Sequence, residues 1–496
     1  MKVYFKYVTR IASKFLLVFV ICIISSQCFA QSSVNDDKVS NFLYLKRLSS
    51  VFDFVQQNYV DEVDPKILYE GAMKGMMNAL NDPYSSYLDE DTMRDLSDTT
   101  TGKFGGVGLQ ITKAIESTAE KPAYVEVSSP IEDTPGAKAG ILAGDLLIEI
   151  DGKPTPEMTM QDVLDHLRGE VGEPVNVTVR RGKNMTFSVE LIRALIEVPT
   201  VKFGMIGKTG YLRIIQFTPE TPSRVQDALD SFAENEFENI IIDLRDNPGG
   251  LIISVVEVAD KFIDEGPIVS TKSRLRFENS VYNAKPEKTV VRNKPIVVLI
   301  NHGSASASEI LSGALKDNHL AYLIGERSYG KGSVQQVVPL SENEEIKMTM
   351  ARYYTPSDTN IDKIGIPPDL EVKYPEFTED AEKAYVALIK SNEIDDYVNE
   401  HSEMTEDDIA SFAVKLEESY PDLPQKLLRR LIRMRVQKTQ TGILYDLDYD
   451  IQLNKALEIL QETSNFKDLV ASTKTLKELQ EEAEADNKEK NTALNK

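Results

Sequence analysis

Residues 301–336 read NHGSASASEILSGALKDNHLAYLIGERSYGKGSVQQ. An unbroken apolar run, Ile296 to Ile300, precedes them and reads as a buried strand. Asn301 to Ser304 forms a polar turn. Beyond it Ala307, Ile310, Leu311, Ala314 and Leu315 fall on one helical face. A serine at this strand-to-helix junction lies at a helix N-terminus, where free N–H groups and the positive dipole end stabilise a developing anion. Gly303, Ala305 and Ala307 are small enough for another backbone to approach. Serine also caps helices, but Ser304, Ser306 and Ser308 are more serines than one cap uses. Nucleophile and cap both remain open on these features.

A second strand, Ala321 to Gly325, is followed by Gly330-Lys331-Gly332. A general base must be neutral, and an exposed lysine near pH 7 is neutral in fewer than about one molecule in a thousand. Burial in an apolar, glycine-walled cleft lowers a lysine pKa by up to about 3–5 units. Gln335 is placed to orient such an amine. The alternative is a solvated loop lysine. Of the four histidines, His166, His302, His319 and His401, only His302 and His319 lie near the serines, and neither has an evident acidic partner.

The strand Ile240 to Leu244 leads into Asp246-Asn247-Pro248-Gly249-Gly250. Paired glycines expose backbone N–H groups that can serve an oxyanion; the same residues also make an ordinary β-to-α turn. Ile252, Val255, Val256, Ala259, Phe262 and Ile263 trace the next helix, so residues 194–375 alternate strand and helix as an α/β region.

Upstream, Asn41 to about Leu96 has helical spacing interrupted at Pro65. Residues 101–193 differ: glycines cluster at Gly105, Gly106 and Gly108, and Ala123 to Val127 and Leu146 to Ile150 read as strands. Thr159 with Asp162 caps a short helix, and Val175, Val177, Val179 and then Phe187, Val189, Leu191 alternate. Residues 376–496 read as charged helices broken at Pro421 and Pro424, with a disordered Glu/Lys-rich tail beyond Lys474. Leu427, Leu428, Leu431 and Ile432 beside Arg429, Arg430, Arg433 and Arg435 read as packing or dimer contact rather than as a membrane-surface helix.

The chain has 496 residues and a net charge of −23, which disfavours nucleic acid as a partner. Its two cysteines, Cys22 and Cys28, lie within residues 1–30, so a processed chain has no disulfide framework. Those residues read as a signal peptide: Lys2, Lys6, Arg10 and Lys14, an apolar run from Phe15 to Ile24, then Cys28-Phe29-Ala30. The run is short for a span of about 20 residues, which makes an uncleaved anchor the minor alternative. No metal-ligand cluster is visible.

Together these motifs resemble the carboxyl-terminal processing, or tail-specific, proteases. GSASASEI followed by YGKGSVQQ carries the resemblance most specifically, and it extends over nearly the whole processed chain. It implies a multidomain α+β protein: a signal peptide (1–30), an N-terminal helical region (31–100), a PDZ domain (101–193), an α/β serine protease core (194–375) and a C-terminal helical region (376–496). By resemblance Ser306 is the nucleophile, Lys331 the general base and Gln335 its assistant. The oxyanion donors are Ala307 and either Gly249 or Gly250. Gly106, Val107, Gly108 and Leu109 resemble the carboxylate-binding loop of a PDZ domain, where a peptide adds as a strand. Arg168 maps near a residue coupling PDZ position to activity; as a helix-terminal arginine it can equally face solvent. His302 and Tyr329 depart from the usual pattern outside the catalytic set.

The implied function is a periplasmic or cell-envelope endopeptidase without cofactors, acting on proteins or peptides with apolar C-termini. A homodimer and an adaptor protein are further expectations. Two other readings are weaker. Gly325 to Lys331 spells most of a phosphate-binding loop, but Gly332 replaces the magnesium-binding Ser or Thr and a strand follows. A non-enzymatic PDZ scaffold requires loss of Ser306 or Lys331, and both are present.

Overall fold

The computed structural model describes residues 41–113, 122–131, 134–142, 144–182, 185–375, 377–391, 393–401, 404–437, 444–463 and 465–494. The expected signal peptide and both cysteines lie outside the described residues. Among the described residues no helix is long and apolar enough to cross a membrane. The chain divides into two units, one of Met1–Asp89 with Val338–Lys347, the other of Glu90–Val337 with Met348–Lys496.

In the first unit a helix spans residues 41–58 and a second spans Pro65–Asn78. Pro65 starts the second because its missing N–H and fixed φ suit a first turn, and the Asp64 carboxylate accepts from Lys66 N–H at 2.8 Å. The short strand Ser86–Leu88 pairs antiparallel with Glu345–Lys347. The Tyr87 hydroxyl donates to Glu344 Oε1 at 2.8 Å.

The second unit opens with the helix Glu90–Thr101 and then the domain expected from the sequence to be a PDZ domain. The domain is entered by Lys103–Gly106 and left by Ala194–Glu197, two strands paired antiparallel. Its sheet runs Leu109–Lys113, Val125–Pro130, Leu146–Ile150, Pro174–Arg181, Met185–Ile192, with Lys153–Pro154 paired beside Leu146–Ile150. The alternation read in Val175, Val177 and Val179 places all three in the core with Val125, Leu147, Val163 and Leu167. The helix Met160–Leu167 has the expected cap: Thr159 Oγ1 accepts from Asp162 N–H, and Asp162 accepts from Thr159 N–H.

The protease core is a six-stranded sheet in the order Val201–Ile206, Thr209–Ile214, Asn239–Asp243, Ile296–Ile300, Tyr322–Gly325, Leu370–Glu371. All neighbours after the first pair are parallel. Ile296–Ile300 is buried throughout, as helices on both faces require of an apolar β-branched strand. The helices Thr221–Glu234, Ile252–Ala259 and Ala307–Asp317 cover one face. The other is covered by Ile451–Glu462, whose Leu453 and Ala456 meet Tyr211, Ile241, Val297 and Ile324.

The helices Glu379–Ser391, Glu393–Glu400, Glu406–Ser419 and Gln425–Gln437 make their own core. Leu428 and Ile432 are fully buried there, and Arg433 pairs with Glu406, Asp446 and Asp448. The helix Gln425–Gln437 is thus an internal packing element. The tail expectation is corrected: residues Leu476–Leu494 are helical. Composition signalled disorder, but Leu476 is buried, its N–H donates to Asp317 Oδ1 at 2.8 Å, and Glu478 caps Thr475.

Buried Arg245 joins the sheet edge to the helix Ile451–Glu462. Its guanidinium contacts Asp243 at 2.6 and 2.9 Å, Asp450 at 2.6 and 2.8 Å, and Gln452 Oε1 at 3.1 Å. Burial alone pushes Asp243 up; Arg245 and Tyr211 outweigh it and hold the carboxyl below its usual range. The carboxylate therefore contributes stability above the unfolded carboxyl pKa, and that contribution is lost as pH falls through the lower folded value. Arg245→Met strands Asp243 as a buried unpaired charge and is expected to destabilise the fold by about 3–5 kcal/mol, read by denaturant unfolding. A loss below about 1 kcal/mol contradicts this role.

Candidate active site

Asp243, Ile300 and Gly325 end three adjacent parallel strands. The loops that follow them therefore emerge at one carboxyl edge, where open α/β sheets place their sites. They are the turn 244–250, the serine turn 301–306 and the lysine loop 326–332.

In the serine turn two of the three hydroxyls hold the scaffold. Ser304 Oγ donates to Leu244 O at 2.8 Å, and Ser308 Oγ donates to Asn247 O at 2.9 Å; both serines are fully buried. Asn301 Oδ1 accepts from Asp246 N–H and Gly303 N–H. Ser306 is half-buried and sits at φ 55°, ψ −112°, immediately before the helix Ala307–Asp317. A non-glycine residue holds such a left-handed φ only where its surroundings fix it. The arrangement presents Ser306 on a strained strand-to-helix corner at the positive end of a helix dipole.

The neighbouring turn is anchored by Asn247, which is fully buried. Its Nδ2 donates to Ile214 O, its Oδ1 accepts from Gly249 N–H at 2.9 Å, and its carbonyl accepts from Ala305 N–H at 3.0 Å. Both glycines are required. Gly249 has φ 105°, and a Cβ there would lie 2.7 Å from Ser306 Cβ and 2.9 Å from Ala307 N. A Cβ on Gly250, at φ 144°, would meet Phe217 O at 2.1 Å. Gly249 N–H is thus committed to Asn247. Phe217 bridges to this turn through Gly249 O and Leu251 N–H, so Gly250 directs its own N–H away from that bridge.

The residue that sequence reading passed over is Glu309. It is fully buried on the first turn of the helix, and both carboxylate oxygens are engaged. Oε2 accepts from Ser306 N–H at 2.8 Å and Lys331 N–H at 2.9 Å. Oε1 accepts from Ser328 Oγ at 2.5 Å and Gly330 N–H at 2.7 Å. Burial pushes its carboxyl up from the usual value, against these donors, which pull it down. A signal was present, since Ser306-Ala307-Ser308-Glu309 has capping-box spacing.

Lys331 is half-buried in a loop stitched down on several sides. Tyr329 N–H donates to Ser304 O at 3.0 Å, Lys363 N–H to Gly330 O at 2.7 Å, and Gly332 N–H to Asp362 Oδ1 at 3.1 Å. Gln335 Nε2 donates to Ser333 Oγ and Thr349 Oγ1. Both amide hydrogens are thereby used, and Oε1 is the acceptor end of the side chain. His302 and Tyr329 pack together, their ring centroids 5.6 Å apart. His319 lies elsewhere, at the far end of the helix against Val470 O. Among the described residues no group of acidic, histidine or cysteine side chains could hold a metal.

In the PDZ domain Val107 O accepts from Gly136 N–H, and Gly108 O accepts from Ile131 N–H. Leu109 then begins a strand on the outer edge of its sheet. The Val107 side chain, grouped above with peptide-binding residues, is buried in the core. Only its backbone can face a peptide, because the loop turns the side chain inward. Leu109 remains half-buried. Arg168 does not point freely into solvent. It contacts Asp95 at 2.8 Å and Asp98 at 3.2 Å and lies 5.1 Å from the Phe104 ring centroid.

Three family models match the chain: Peptidase family S41 over residues 208–372, PDZ domain over 126–181, and Activating protease CtpB N-terminal domain over 23–92. A carboxy-terminal-processing protease of Bartonella bacilliformis is 42% identical over 351 residues, covering 70% of this chain and 79% of that protein. Carboxy-terminal processing protease CtpA of Bacillus subtilis is 29% identical over 434 residues, covering 84% and 90%. A chloroplastic carboxyl-terminal-processing peptidase 2 of Arabidopsis thaliana is 34% identical over 340 residues, covering 66% and 65%. The chain belongs to the carboxy-terminal processing proteases, serine proteases of peptidase family S41 that carry a PDZ domain.

Proposed function

We propose that this protease cleaves polypeptides through an acyl-enzyme on Ser306, with Lys331 as general base and the PDZ domain selecting substrates by their C-terminus. The observation that carries the reading is the shared anchoring of the two residues: Ser306 N–H and Lys331 N–H donate to the same oxygen of Glu309.

Ser306 Oγ attacks the peptide carbonyl carbon while its proton passes to the neutral amine of Lys331. The oxyanion that forms takes hydrogen bonds from Gly250 N–H and Ala307 N–H. Gly250 is preferred over Gly249 because the latter's N–H is held by Asn247. Gln335 Oε1 accepts from the lysine and fixes its direction. As the intermediate collapses, the C–N bond breaks and Lys331 returns the proton to the leaving amine. Lys331 then deprotonates a water that hydrolyses the ester and frees Ser306. No cofactor enters any step.

The substrate reading rests on the edge strand Leu109–Lys113 following the glycine loop. A peptide adding along that edge brings its terminal carboxylate to the loop N–H groups. Apolar C-terminal residues fit the half-buried Leu109. Arg168 would relay PDZ position through its ion pairs to the helix Glu90–Thr101. Export through residues 1–30 would place the enzyme in the periplasm or cell envelope, where an adaptor protein can present substrates. Exposed Phe42, Leu45, Val51 and Phe54 on the helix 41–58 support a homodimer.

Ser306→Ala, Lys331→Ala and Lys331→Arg are each expected to lower peptide hydrolysis at least about 1,000-fold with circular dichroism unchanged, because nucleophile and base act as a unit and arginine keeps its proton. A Lys331→Arg enzyme within about tenfold of wild type excludes lysine as the base. For the PDZ domain, a substrate with an apolar tail and free carboxylate should be cleaved faster than its amidated form, and Leu109→Asp should narrow the difference. Equal rates for both tails would remove C-terminal recognition from the reading.

A further inference from the structure

Glu309 takes part in no chemical step of the Ser/Lys mechanism, yet it is a fully buried carboxylate, which is costly to keep unless it is hydrogen-bonded. Its donors come from three places. Ser306 N–H belongs to the nucleophile. Gly330 N–H, Lys331 N–H and Ser328 Oγ belong to the loop of the base. Tyr353, on the strand Glu344–Tyr354, adds its hydroxyl at 3.3 Å from Ser306 O and 3.5 Å from Glu309 Oε2. Ser328 Oγ also accepts from Ile366 N–H at 2.6 Å, so the loop side of the clamp is itself tied to the segment behind it.

Two features of this arrangement exceed what a helix cap needs. A cap satisfies N–H groups of its own helix, whereas three of the four close donors to Glu309 lie 19–22 residues away on another loop. The cap residue is also the nucleophile, and it holds a left-handed φ of 55°. We propose that Glu309 is a positioning residue: its carboxylate bonds the backbone of Ser306 and the backbone of Lys331 at once and so sets the spacing of nucleophile and base. It touches neither substrate nor transferred proton. The inference rests on the Ser306/Lys331 reading above.

Glu309→Gln tests it with almost no change in size. The amide offers one acceptor oxygen where the carboxylate offers two, and it turns an NH2 donor toward N–H groups that are donors themselves. One side of the clamp must open. A misplacement of about 1 Å costs on the order of 100-fold in rate, so kcat is expected to fall about that much while KM stays within about threefold. Labelling of Ser306 by a fluorophosphonate should slow in parallel, with the thermal midpoint showing the protein folded. A folded Glu309→Gln enzyme with kcat within about threefold of wild type overturns the proposal. So does a loss of activity matched by an equal loss of folded protein.

Should Glu309→Gln fail to fold, Ser328→Ala decides, because it removes one donor from the same carboxylate. A kcat lowered about fivefold at unchanged KM supports the clamp, and an unchanged kcat overturns it. Ser306→Ala and Lys331→Ala run in the same assay. If either is active, the Ser/Lys reading itself falls; if both are dead and Glu309→Gln is active, only the role of Glu309 is lost.

Discussion

Buried Arg245 holds two carboxylates from distant parts of the chain. Asp243 ends a central strand, and Asp450 caps the helix that covers one face of the sheet. A guanidinium suits this position because its planar fork pairs bidentately on both sides without giving up its charge. Tyr211 donates to Asp243 Oδ2 and Tyr374 to Asp450 Oδ1, which completes the network. The turn that begins at Arg245 carries Asn247 and the paired glycines. The covering helix and the wall of the candidate active site thus share one anchor, made by residues 205 positions apart.

The site is built chiefly by side chains that hold backbone. Asn247, Asn301, Ser304, Ser308 and Glu309 all direct hydrogen bonds at main-chain groups of the three adjoining loops. Each such bond contributes only about 1 kcal/mol on its own. Together they define the conformation of Ser306, which no isolated turn would adopt. The run of serines is therefore not redundant: the outer two fasten the corner that carries the middle one.

Local features of the fold were legible in the sequence. The alternating valines of the PDZ sheet, the cap at Thr159 and the apolar strand Ile296–Ile300 each depend on residues within a few positions of one another. The S41 membership was legible because the serine and lysine motifs are short and dense. What escaped were partners fixed only by tertiary packing. Glu309 has capping-box spacing from Ser306, but its other donors arrive from the next loop. Nothing near Arg245 announces Asp450. The last helix was read as disorder because its composition is charged, whereas its ordering begins at Leu476, docked beside Asp317 159 residues earlier. Val107 was read by its place in a glycine loop, and the direction of its side chain is set by the fold around it.

The paired strands Lys103–Gly106 and Ala194–Glu197 bring the two ends of the PDZ domain face to face, with Gly106 opposite Ala194. Neighbouring strands are about 4.8 Å apart. To the rest of the chain, the whole domain is then a hairpin turn of unusual size. Left unfolded, those residues form a long loop between the helix Glu90–Thr101 and the protease core, and closing it costs free energy that grows with the logarithm of loop length. Once folded, the domain presents its two ends already adjacent and so joins the helix before it to the core after it. Order of folding is thereby coupled to domain order: a PDZ domain that folds first brings the helix before it to the core that follows it.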